Sequence, residues 1–195
     1  MAELAKKSFT VEDWLNLERE TGEKYDYHFG EIHRVNGMAG GTYEHNTVSG
    51  NIYGELRENL RGSSCQAHNS EMKVEVKKND QYVYPDASVT CGELVLSEKI
   101  QGCVCNPTLI VEVISDTSGD YDRGAKLRMY FELDSVVEYL LLEQKKAMAT
   151  LFRRLDGKGK FEINYFLGLE AGVELKSIGQ TIPMRRIYEG VNMKS

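Results

Sequence analysis

Several features that would assign this chain to a class at once are missing from it. No apolar run approaches the roughly 20 residues that cross a bilayer. Met1 to Thr10 is polar, with Lys6 and Lys7, and does not read as a secretory leader. Basic residues are not in excess: 24 Lys and Arg against 30 Asp and Glu leave a formal charge of −6. That balance argues against holding polyanions by bulk electrostatics, although it permits a local basic cleft. Cysteine is sparse, with Cys65, Cys91, Cys103 and Cys105 only. The one tight pair, Cys103-Val104-Cys105, has no second pair or adjacent His and makes a poor zinc site. The expectation is a reduced, cytoplasmic protein with no membrane partner. Asn36 to Thr42 (NGMAGGT) lacks the lysine and following hydroxyl of a phosphate-binding loop, so it reads as connection. No internal repeat, low-complexity segment or interdomain linker is visible. At 195 residues the chain is therefore expected to form one domain, residues 1–195, with a sizeable core.

What is present centres on residues 106–131, NPTLIVEVISDTSGDYDRGAKLRMYF. Thr108 to Ile114 is short, β-branched and apolar on both faces, as expected of a central strand covered on both sides. Glu112 interrupts one face. A buried carboxylate without a partner is too costly to persist, so it must be paired, metal-bound or protonated. Ser115 to Asp120 is rich in helix-capping side chains, and a helix carrying Leu127, Tyr130 and Phe131 on one stripe is expected after it. Asp122 and Lys126, four apart, share a face of that helix.

Around this centre the patterns are ordinary. Thr10 and Asp13 can cap a short helix anchored by Trp14, Leu15 and Leu17 and ended by Gly22. Tyr25 to Val35 alternates around Phe29-Gly30 as a hairpin would. Val48, Ile52, Leu56 and Leu60 make an amphipathic helix of 44–61, with His45 at its start as either a packing residue or an acid–base group. Cys65 to Val76 and Gln81 to Cys91 read as two strands, the second irregular at Pro85. Three more strands are expected within 136–143, 149–155 and 160–167, and a short helix within 182–191.

Asp86 and Glu112 both fall mid-strand among apolar or aromatic neighbours. On adjacent strands they would approach one ion, and two carboxylates with several waters suit magnesium, with manganese as its substitute. Lys126 would then be placed to stabilise charge developing on a phosphoryl group. The alternative is structural: Glu112 pairs with Arg123 or Lys126, and Asp86 caps the turn after Pro85. Spacing alone leaves the two readings level.

The residues also carry a resemblance. Tyr25-Asp26, Gly30-Glu31-Ile32, His45, Tyr84-Pro85-Asp86, Leu109 to Ser115 and Asp122 to Tyr130 together resemble the Uma-two family of bacterial restriction endonucleases, within the PD-(D/E)XK nuclease superfamily. The most specific part is Asp122-Arg123-Gly124-x-Lys126-x-x-x-Tyr130 after a Glu-bearing strand. The resemblance implies a mixed α/β (α+β) restriction-endonuclease-like core, with a central mixed sheet flanked by helices. It implies an endonuclease hydrolysing phosphodiester bonds of nucleic acid, DNA above all, with magnesium at Asp86, Glu112 and Val113. Asp26, His45 and Asp122 would support that site. One departure stands out: the superfamily lysine two residues after the second acid is Ile114 here, and the resemblance moves that role to Lys126. Cutting two strands implies a homodimer. Ile114 and the acidic charge leave a second class open, a non-catalytic module that keeps the fold and binds nucleic acid or protein.

Overall fold

The computed structural model describes residues 8–35, 42–77, 80–114, 124, 126–155 and 159–193. Helix α1 (Val11–Thr21) starts on a reciprocal cap: the Asp13 amide donates to Thr10 Oγ1 at 3.1 Å, and the Thr10 amide donates to Asp13 Oδ2 at 2.8 Å. Gly22, at φ +68°, closes it by donating to the Glu18 carbonyl. Strands β1 (Tyr25–His28) and β2 (Glu31–Arg34) form a hairpin over Phe29 and Gly30, whose φ values are +47° and +88°. Two successive positive φ values define a tight mirror-image turn. A Cβ at position 30 would also lie 2.0 Å from Ser8 Oγ and 3.3 Å from the Phe9 carbonyl oxygen, so a side chain there would displace Ser8.

Helix α2 (Tyr43–Asn59) buries Val48, Ile52 and Leu56, the stripe its sequence spacing predicts. Then come β3 (Cys65–Asn69), β4 (Lys73–Lys77), β5 (Gln81–Val83), β6 (Ala87–Cys91), β7 (Cys103–Val104) and β8 (Leu109–Ile114). A helical turn at Leu127–Tyr130 precedes β9 (Glu138–Glu143), β10 (Met148–Arg154) and β11 (Phe161–Leu167). The chain closes with a hairpin of β12 (Gly172–Leu175) and β13 (Gln180–Pro183), and a turn of helix at Met184–Ile187.

The main sheet has six strands in the order β11-β10-β9-β8-β6-β3. Strand β8 is interior, parallel to β9 and antiparallel to β6, and every residue of it is buried. The mixed α/β sheet with a central strand at 109–114 is thus as the sequence implies. One face of β8 (Leu109, Val111, Val113) packs with α2 and the closing hairpin; the other (Ile110, Ile114) packs with Tyr130, Tyr139 and Val74.

Two expectations are corrected. The segment 65–91 is not one long pair of strands. It bends at Asn69–Lys73 and again at Tyr84–Asp86, so β3 and β6 join the six-stranded sheet while β4 and β5 join a second one, β2-β1-β5-β4-β7. Pro85, which has no amide to donate, sits at the second bend. Nor are all four cysteines thiols: Cys65 and Cys91 face each other in the β3–β6 register and form a disulfide, while Cys103 and Cys105 stay as thiols. Among the described residues no helix is long and apolar enough to cross a membrane.

Candidate active site at the ends of β6 and β8

Strands β6 and β8 pair Ala87 with Val111, and one further step of that register sets Asp86 across from Glu112. The ladder does not take that step as a strand. Asp86 instead turns its carboxylate onto the neighbouring backbone, where Oδ2 accepts the Val113 amide hydrogen at 2.7 Å. Val113 therefore fixes Asp86 through its amide, which leaves its carbonyl as the only atom able to ligate. His45, in the first turn of α2, brings Nε2 to 3.3 Å from the same Oδ2. Thr42 holds that turn in place by capping the His45 amide.

Glu112 is buried, and its Oε1 is shared by two donors: Lys126 Nζ at 3.0 Å and the Tyr130 hydroxyl at 2.8 Å. Lys126 and Tyr130 are one helical turn apart, so both reach the strand from the same side. Sequence reading placed Tyr130 in an apolar stripe and missed its hydroxyl; its i+4 spacing from Lys126 was the available signal. Ile114, two residues after Glu112, is buried in the core with Ile110 and Tyr139.

Asp26 stands one tier back. It is buried, and its Oδ1 accepts the Tyr84 amide at 2.9 Å, two residues before Asp86. It thus pins the bend from which Asp86 emerges. Asp122, also expected in a supporting role, lies outside the described residues, as do Arg123 and Lys78.

The charges act on one another. Burial pulls the His45 imidazole down; the hydrogen bond and charge of Asp86, with the charge of Glu112, more than reverse this, so its pKa ends above the ordinary value. Burial pushes the Tyr130 hydroxyl well up, and the charges of Glu112 and Asp26 add to it, so Tyr130 stays a donor. His28, at the end of β1, is lowered to about 4 by burial first, then by His33 and Lys126. It is a neutral imidazole within electrostatic reach of Lys126, and nothing in the sequence pattern marked it.

The donor set is two carboxylates, oxygen donors of the kind a hard divalent cation takes rather than zinc. Among the described residues no three His, Cys, Asp or Glu side chains form a ligand cluster, which speaks against zinc. Two carboxylates are what magnesium uses when it keeps several waters. Both hydrogen-bonding contacts of Asp86 go to Oδ2, and Oδ1 takes none from the described residues.

Most of the surrounding cations are engaged within the chain. Arg153 is buried between Glu138 and Glu162, Arg154 donates to the Phe131, Leu133 and Val136 carbonyls, and Lys73 sits 3.3 Å from Glu18 over Tyr84. Arg128 is exposed.

The fold is that of a nuclease-like α/β protein, as comparison with known proteins shows. The sequence profile of the Uma2 family, described as "putative restriction endonuclease", matches residues 11–181. The chain belongs to that family. It is 31% identical over 180 residues to the uncharacterized protein slr1290 of Synechocystis sp., covering 92% of this chain and 91% of that one. Uncharacterized protein sll1609 of the same organism is 29% identical over 138 residues, 71% of this chain and 76% of that one. A crystal structure described as a putative nuclease belonging to DUF820, from Anabaena variabilis, superposes with a TM-score of 0.71 at 16% identity. That likeness covers 92% of this chain and 97% of the other, and it establishes the shared fold.

Proposed function

We propose that this protein is a magnesium-dependent endonuclease acting on DNA, with Asp86, Glu112 and the Val113 carbonyl as metal ligands and Lys126 as the catalytic cation. The observation that carries the reading is the meeting of Asp86, Glu112, His45 and Lys126 at one end of β6 and β8. A structural ion pair needs one acid and one base, whereas this cluster gathers two acids by two separate elements.

A magnesium ion held there would polarise a phosphoryl oxygen and acidify an attacking water. The chain's own part is positional. Val113 and His45 orient Asp86, and Tyr130 and Lys126 orient Glu112. Lys126 supplies a fixed positive charge beside the position of the phosphate, where developing negative charge is greatest. Cleavage of both strands calls for two such sites, so the working unit in this reading is a homodimer.

The test is a magnesium or manganese titration followed by thermal unfolding, alongside nicking of a supercoiled plasmid. The expected result is a rise in Tm with metal and metal-dependent nicking, both abolished in Asp86→Asn. A metal-independent Tm together with no cleavage would favour the non-catalytic module instead. The 3.0 Å Lys126–Glu112 contact, which satisfies both groups without a ligand, is the observation on that side.

A further inference from the structure

The two faces of the six-stranded sheet are covered unequally. Its α2 face is packed across its width, ending at β10 and β11 with Ala149, Leu151 and Phe166 against the closing hairpin. The other face is covered over β8 and β9, and its cluster ends at Phe152 on β10. Beyond it, on the same side of β11, lie Phe161, Ile163, Tyr165 and Leu167. Phe161 still packs on Phe131, with ring centroids 4.3 Å apart. The next three are 48%, 65% and 67% exposed.

Strand β11 is also the rim of the sheet, and among the described residues it pairs only with β10. Natural rim strands are guarded by lysines, prolines, shortness or bulges. The opposite rim, β3, is short and polar (CQAHN) and tied by its disulfide to β6. In contrast, β11 runs for seven residues (FEINYFL) with no Lys, Arg or Pro, and its single carboxylate, Glu162, is bridged to Arg153 at 2.7 Å.

We propose that β11 is the surface through which two copies of this chain join, edge to edge and antiparallel, about a two-fold axis at Asn164. The stripe is uncharged, so it complements itself better than it complements an acidic or basic partner. Pairing about Asn164 sets Phe161 against Leu167 and Ile163 against Tyr165 of the second copy, on one face. Glu162 meets Phe166 of the second copy, so no like charges are opposed. The four apolar side chains present on the order of 400 Å² if each is worth about 200 Å² when fully exposed. Edge pairing covers the flanks of these side chains and the newly paired backbone and leaves their outer faces in solvent, so the area buried falls below the roughly 800 Å² per partner of a standard interface and the dimer belongs to the weak, concentration-dependent class. The surface builds on the dimer invoked above, but its evidence is the uncovered strand and owes nothing to catalysis.

Sedimentation of the full chain from about 1 to 100 μM tests this, with a concentration range suited to an interface of that size. The parent is expected to dimerise. Ile163→Lys combined with Tyr165→Lys places like charges opposite each other across the axis, and should weaken association at least about a hundredfold with far-UV dichroism unchanged. Asn164→Cys places two thiols on the axis, at a Cα separation of about 4.5–5.5 Å that a disulfide spans. Mild oxidation should then yield a covalent dimer that the parent does not form. A parent that stays monomeric at the highest concentration overturns the surface and removes the dimer from the nuclease reading. A parent dimer that survives the lysine pair, or an Asn164→Cys variant that cross-links no better than the parent, overturns the surface alone.

Discussion

Two buried glutamates stand on neighbouring strands of one sheet and lead opposite lives. Glu138 opens β9 and is fully buried. Its Oε1 accepts from Arg153 Nε at 2.7 Å and the Lys176 amide at 3.1 Å; its Oε2 accepts from the Ser177 amide at 3.1 Å and the Ser177 hydroxyl. Every strong acceptor direction is filled, half of it by main-chain N–H groups with no freedom to leave. Glu112, towards the far end of β8, accepts at Oε1 from two side chains, Lys126 and Tyr130, and a second carboxylate lies across from it. Burial therefore does not mark a functional acid. What distinguishes the two is how the desolvated charge is met: at Glu138 half by main-chain N–H groups, at Glu112 by the side chains of a lysine and a tyrosine.

The largest effect should come from testing that difference directly. Glu138→Gln removes the charge that Arg153 and two main-chain amides were folded around, and an amide nitrogen cannot accept their hydrogen bonds. Breaking a buried pair from one side typically costs about 3–5 kcal/mol, which for a chain of this size is a fall in Tm of roughly 10 °C. Glu112→Gln should cost less, since the amide oxygen of Gln can still accept from Lys126 and from the buried Tyr130 hydroxyl, yet it should abolish metal-dependent cleavage. Thermal unfolding of both variants decides the matter. Equal losses of stability would erase the distinction between a scaffold acid and a site acid.

Much of this was legible in the sequence, and the exceptions have a common cause. The doubly apolar pattern of 108–114 can only be a covered strand, and Pro85 announces a break wherever it falls. Asp86 and Glu112 stand out because an acid in an apolar strand demands a partner. Glu138 is an acid in an equally apolar run (VVEYLLLE), yet its partners Arg153, Lys176 and Ser177 come from 15 to 39 residues away. No local pattern carries that information. The same holds for the buried Arg153 and the half-buried Arg154, whose carbonyl partners Phe131, Leu133 and Val136 lie 18 to 23 residues back. Alternation along 65–91 shows which residues share a face but not which sheet the face belongs to. The Cys65–Cys91 bond depends on that register and was therefore hidden, and the closing hairpin β12–β13 was too short to announce itself.

An intermediate effect belongs to Lys126→Met. If Lys126 merely neutralised Glu112, its loss would leave an unpaired buried charge and cost stability on the scale of Glu138→Gln. Tyr130 still donates to the same oxygen, however, at 2.8 Å. The expected outcome is a Tm close to that of the parent with plasmid cleavage about a hundredfold slower, which is about 3 kcal/mol of transition-state stabilisation. Parental cleavage rates would remove Lys126 from the catalytic role.

The smallest effect is also the one that separates the two clusters by pH. His45 is the titrating partner at the Asp86–Glu112 end, whereas Arg153 at the Glu138 end does not lose its proton in any accessible range. Burial lowers the His45 pKa, but the Asp86 hydrogen bond and the neighbouring carboxylates raise it further than burial takes it down. A pKa higher in the folded chain than in the unfolded one, near 6.5, means that folding favours the protonated ring. The stabilisation is then complete below about 6.5 and is lost as pH rises through the folded value. Thermal unfolding in chelator, with no divalent cation present, should show the parent exceeding His45→Gln by most near pH 6 and by progressively less above neutrality. The gap between the parent and Glu138→Gln should stay flat across the same window, because neither Arg153 nor a main-chain amide titrates there. A flat His45→Gln gap would show that the imidazole is neutral against Asp86 and binds it only as a hydrogen-bond donor. A gap that widens with pH would put the sign of the coupling the other way, and the carboxylate pair would no longer be the dominant charge at that end of the sheet.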